Sequence, residues 1–169
     1  MKYLSKTVIL LIIALLIGGC NKNTVEITEE YLKGKWDASV IKVEAQEGVK
    51  ITLKLNAVTE FDGKGQSTEE GKISMTMTDG QMNYKFNFDY KSKDKYTIKA
   101  YTLKSQSIEF DIKASNEQTT ANMDLLGINF IEEMKKSIEE ESNSKIISSS
   151  QDAFEVMEED IVCKYKKTK

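Results

Sequence analysis

The sequence has no histidine, no proline and no arginine; all 24 of its basic residues are lysine. Without histidine, the commonest general base and the commonest transition-metal ligand are missing. Without arginine, no planar fork is available to clamp a phosphate or carboxylate at two points. There is one tryptophan and there are two cysteines. No Gly-x-Ser-x-Gly elbow, phosphate-binding loop, dinucleotide fingerprint or Asp-x-Asp-x-Asp-Gly calcium loop occurs. These absences argue against an enzyme, and they imply neither a cofactor nor a metal site.

The most specific pattern present is at the start. Lys2 and Lys6 precede an unbroken apolar run, Val8 to Ile17. A membrane span needs about 20 apolar residues, so this run is too short and has the size of a signal-peptide core instead. Ile17-Gly18-Gly19-Cys20 follows and resembles the lipobox of bacterial lipoproteins. The resemblance implies cleavage before Cys20, with residues 1–19 lost as signal peptide. It also implies acylation of Cys20, palmitate being one such chain, and a tether over residues 20–28. Each buried CH₂ of an acyl chain adds about 0.8 kcal/mol of anchoring. The protein is then expected on the outer face of a bacterial membrane, periplasmic or at the cell surface. Asn21 is not the Asp that favours inner-membrane retention in Gram-negative members, which points to the outer membrane in such a host. The competing reading is an uncleaved anchor helix.

About 150 of the 169 residues remain after cleavage, the size of one domain. No linker or repeat divides residues 29–169. The formal charge of −3 includes Lys2 and Lys6, so the mature chain is more acidic still. Acidity and export both argue against a nucleic-acid partner. With Cys20 acylated, Cys163 has no disulfide partner within the chain. It reads as a small buried apolar side chain.

Period-two hydrophobicity, the mark of a half-buried strand, runs from Trp36 to Ala114. Ile51, Leu53, Leu55 and Ala57 alternate with polar residues, as do Ile73, Met75 and Met77, and then Met82, Tyr84, Phe86, Phe88 and Tyr90. Asp62-Gly63 and Asp79-Gly80 read as hairpin turns. Lys91 to Lys95 reads as a polar loop, and Lys104 to Gln106 as a turn. Links this short force antiparallel neighbours. Leu126, Phe130, Ile131, Met134 and Ile138 form one stripe of a helix expected over about 123–141. Two or three strands over Ile146–Tyr165 complete a mainly β fold: an antiparallel meander closing into a small barrel of eight or nine strands, with one amphipathic helix packed on it.

Thr28 to Lys33 reads as one helical turn, and Gly34-Lys35-Trp36 opens the first strand. This is similar to the Gly-x-Trp signature of lipocalin-like barrels. With the phrase Phe61-Asp-Gly-Lys, the pattern resembles the small lipocalin-like lipoproteins of bacteria. The resemblance implies that Gly34 and Trp36 close the base of the barrel beneath a cavity. Lipocalins place an arginine over that Trp. Here Lys164, Lys166 or Lys167 would have to lay its stem there.

The stripe Met75, Met77, Tyr84, Phe86, Phe88 and Tyr90 has two readings, a cavity lining or plain core. An eight-stranded barrel is wide enough either to fill or to hold one small ligand. Carboxylate runs such as Glu69-Glu70 and Glu158-Glu159-Asp160 read as solvated charge. Two functions fit. One is a membrane-anchored, non-catalytic envelope protein binding a small apolar or amphipathic ligand in the barrel. The alternative is an immunity or inhibitor lipoprotein whose partner is an envelope-targeted toxin or hydrolase. A structural envelope lipoprotein without a specific ligand is the blandest reading.

Overall fold

A computed structural model describes residues 25–46, 48–138 and 141–168. The apolar run, Gly18-Gly19-Cys20 and the acylation expected at Cys20 lie outside the described residues.

Eight antiparallel strands form one closed ring, each paired with its sequence neighbour and the last with the first. Five are long: β1 (Gly34–Gln46), β2 (Val49–Phe61), β3 (Gln66–Asp79), β4 (Met82–Lys99) and β5 (Thr102–Ala114). Three are short: β6 (Ser142–Ser149), β7 (Ala153–Glu158) and β8 (Ile161–Lys167). α1 (Glu29–Leu32) leads into β1, while α2 (Glu117–Leu126) and α3 (Phe130–Ser137) connect β5 to β6. Among the described residues, no helix is long and apolar enough to cross a membrane.

Local chemistry sets the corners. Asp62 Oδ1 accepts from the backbone N–H of Lys64 and Gln66, which holds its carboxyl below the usual range. Gly63 and Gly65 supply the positive φ angles that this loop needs. Gly80 does the same between β3 and β4. Gly71 has a different reason to be glycine. It pairs with Ala57, and a Cβ there would lie 2.6 Å from the Ala57 Cβ and 2.7 Å from the Asn56 carbonyl oxygen. Only a residue without a side chain lets β2 and β3 come this close.

Two expected breaks are strand. β4 runs through Lys91–Lys95 without a loop, and β5 runs through Lys104–Gln106 without a turn. The chain reverses instead at Ala100-Tyr101, where Ala100 takes φ 51°. The reason lies in what the inner face carries. Period two continues here, but the inward positions are Ser92, Asp94, Ser105 and Ser107, so the hydrophobic signal fades while the pleat does not. One bulge interrupts the β4–β5 ladder at Lys93/Asp94.

The single helix expected over about 123–141 is two helices. Asn116 caps α2 by accepting from the Thr119 N–H at 2.9 Å. Gly127 ends it in the left-handed conformation, φ 63°. Asn129 then caps α3 through the Glu132 N–H. α2 lies along the stretch of β4 that precedes its pairing with β5. Thr119 Oγ1 accepts from the Asn87 N–H at 2.9 Å, and Asn122 Nδ2 donates to the Lys85 carbonyl at 2.9 Å. Backbone groups that would form an open sheet edge are thereby satisfied.

Candidate functional site

The barrel interior has three levels. At the base, Trp36 is fully buried and its Nε1–H donates to the Leu32 carbonyl of α1. Its ring packs against Tyr31 and Phe154, with centroids 5.4 and 4.9 Å away. Phe154 stacks in turn on Tyr165, 4.4 Å away and nearly parallel. Gly34 stands two residues before Trp36, paired with Phe61. The position over the Trp ring is taken by Lys167, whose Nζ lies 5.2 Å from the ring centroid. A lysine at the Trp36-paired position of β8 thus covers the ring face of Trp36.

At the opposite end the interior is filled with apolar side chains, beside the half-buried Lys42–Glu44 ion pair of β1. Met75, Met77, Phe86 and Phe88 are buried in one apolar cluster with Phe130 and Met134 of α3 and Met123 of α2. Phe86 meets Phe130 edge to face at 5.0 Å. Tyr84 is half-buried at the edge of this cluster. Of the six stripe residues expected as possible cavity lining, these five pack here and Tyr90 alone lines the cavity.

The cavity occupies the middle level and reaches toward the base, with a volume of about 230 Å³. At ~30 Å³ per water, this is the space of roughly seven waters. Val40, Leu55, Ile73, Leu103 and Phe110 make one part of the wall. Ala38, Phe61 and Ile138 extend the apolar wall, and a polar patch is set into it: Glu69 and Asp94, ringed by the hydroxyls of Thr59, Ser67, Ser92, Ser105, Ser107 and Ser142. Among the described residues, no lysine lines the cavity. Glu69 was expected in a solvated run with Glu70. The strand pleat separates the two: Glu70 points out and meets Lys91 Nζ at 2.9 Å, while Glu69 faces inward.

Each inward carboxyl is held by hydroxyl donors. Thr59 Oγ1 and the Tyr90 hydroxyl donate to the two oxygens of Glu69. Ser92 Oγ donates to Asp94 Oδ2 at 2.8 Å. The register pairs Glu69 with Ser92 and Ser67 with Asp94, so the two acids are diagonal neighbours on one face, a spacing of about 7–8 Å. Burial pushes both carboxyls up; the hydroxyl bonds oppose this, and Asp94 raises Glu69 further. Burial also drives the Cys163 thiol up to about 12, and the Tyr90 and Tyr165 phenols well above their ordinary value. At neutral pH these three groups stay protonated. The wall therefore offers hydrogen-bonding groups and two carboxyls rather than a thiolate or phenolate nucleophile. Among the described residues, no three Cys, Asp or Glu side chains converge as metal ligands.

The ladder is interrupted beside this space. β5 has a strand on its second edge only from Thr102 to Ser105, and β1 only from Trp36 to Ser39. Beyond those residues no described strand bridges β5 and β1, and the α2–α3 segment packs against β5 instead. Ser107, Phe110, Ile138 and Ser142 are half-buried there and line the cavity. Asp94, Ser105 and Ser107 were not singled out from the sequence as site residues. The signal available was period two sustained through polar residues. No protein-family model matches the chain, and no curated protein matches its sequence.

Proposed function

We propose that this chain is a lipid-anchored, non-catalytic binding protein of the bacterial envelope that holds one small molecule inside the barrel. The carrying observation is the cavity of about 230 Å³ in the middle of the barrel. Its wall joins an apolar side to a few convergent polar groups, the usual make-up of a small-molecule site. A barrel selected only for stability would fill this space, as the same barrel does beneath α3. The lipobox-like Ile17-Gly18-Gly19-Cys20 supports acylation at Cys20 and a place at the membrane surface. The Gly34–Trp36 opening supports kinship with the lipocalin-like lipoproteins.

The test is native mass spectrometry of the full-length chain extracted from its own membranes in mild detergent. Ala38 lies on the cavity wall, and Ala38→Phe would fill it. The expected result is a small molecule released on unfolding the natural protein and missing from an Ala38→Phe variant that keeps its β circular dichroism. Identical ligand-free masses for both would contradict the proposal.

A further inference from the structure

We infer that the cavity selects a small organic cation, with an ammonium group held between Glu69 and Asp94 and an apolar body against Leu55, Leu103 and Phe110. This rests on the reading of the cavity as a ligand site and names the chemistry of its occupant.

The charge distribution carries the inference. The chain has 24 lysines, yet none of the described ones lines the cavity, while two carboxyls do. Among the described residues, the ion pairs join surface groups or the Lys42–Glu44 pair of β1, and none includes Glu69 or Asp94. Isolated buried charge is costly, and proteins normally pair it or let it neutralise. Here the neighbours are arranged for the charged form: Thr59 and Tyr90 donate to Glu69, and Ser92 donates to Asp94. The site thus has fixed donors for two half-buried carboxylates, and among the described residues no cation is paired with either. A ligand cation supplies the countercharge.

The kind of cation follows from geometry. Among the described residues, no third acidic or cysteine ligand converges for a metal. An ammonium has three directed N–H donors, and two carboxyls set diagonally suit it. One side of the wall is apolar, which favours a hydrocarbon body on the cation. The same two acids repel any carboxylate, so free fatty acids are excluded.

The test is calorimetric titration of the full-length chain in detergent micelles with three probes of one shape: phenethylamine, 2-phenylethanol and phenylacetate. The expected order at neutral pH is amine tighter than alcohol by about tenfold or more, the size of one charge contact at 1.4 kcal/mol, with no binding of the acid. Asp94→Asn should weaken the amine by about tenfold and leave the alcohol unchanged. Glu69→Gln should do the same where it folds. Lowering the pH should weaken the amine alone, as Glu69 and Asp94 take up protons. The other titratable groups lining the cavity, Tyr90, Tyr96, Tyr165 and Cys163, are all raised by burial and stay protonated throughout. Equal affinity for amine and alcohol, or binding of phenylacetate, would overturn the cation and leave the cavity as a ligand site. If none of the three bound, both readings would fall.

Discussion

Between Phe86 and Phe130 the barrel interior is filled with apolar side chains, and between Glu69 and Asp94 it is hollow and polar. Both halves are built by the same strands, β2, β3 and β4. On β3 the inward positions read Ser67, Glu69, Gly71, Ile73, Met75, Met77, so one strand passes from polar wall to apolar core. The difference teaches what each half is for. The filled half, capped by α3, supplies the stability of a domain with no disulfide. The hollow half gives up packing and carries two acids that burial disfavours. Sites that bind usually sacrifice stability in this way.

Four substitutions break or sharpen that contrast. Phe130→Ala removes the fully buried ring that α3 places against Phe86. It should cost about 3–5 kcal/mol in urea denaturation, and a loss below 1 kcal/mol would mean that the helix is not part of the core. Gly71→Ala acts at the boundary between the halves. Its Cβ would press on the backbone and side chain of β2, so a loss of about 1–3 kcal/mol is expected, read by the same method.

Asp94→Asn should move stability in the opposite direction. A carboxyl raised in the folded state stabilises the fold when protonated, and that contribution fades as the pH rises through its raised value. The Asp94 contribution should therefore fade as the pH climbs from below 3.8, the ordinary Asp value, toward neutrality. The ligand-free variant should escape this loss and gain on the order of 1 kcal/mol at neutral pH. Thermal melts across pH check the slope, and a destabilised variant would contradict the cost assigned to this acid. The smallest effect is at the base: Lys167→Met keeps the stem over Trp36 but removes the charge, for about 0.5–1 kcal/mol, measurable by chemical denaturation.

The fold was legible where burial and pleat agree. Ile51 to Ala57 and Met82 to Tyr90 alternate apolar and polar residues, and both are strands. Thr28 to Trp36 was legible as a helical turn feeding β1. The helix stripe was legible as apolar positions but not as two helices, because Gly127 and Asn129 break it without changing the phase of Phe130 and Met134. The cavity was the least legible part. Its walls at Ser92, Asp94, Ser105 and Ser107 carry polar residues inward, and a reader of hydrophobicity sees a loop there. A barrel that keeps polar groups inside hides its own strands, so the breaks in the apolar pattern marked the site.

The most direct test of this division is a map of backbone amide shifts as phenethylamine is titrated into the isotope-labelled full-length chain in micelles. The account predicts perturbations at Ser67, Glu69, Ser92, Asp94 and Ser105, with Met75, Met77 and Phe86 unmoved. Shifts centred on the Met and Phe half, or confined to the outer surface, would contradict it.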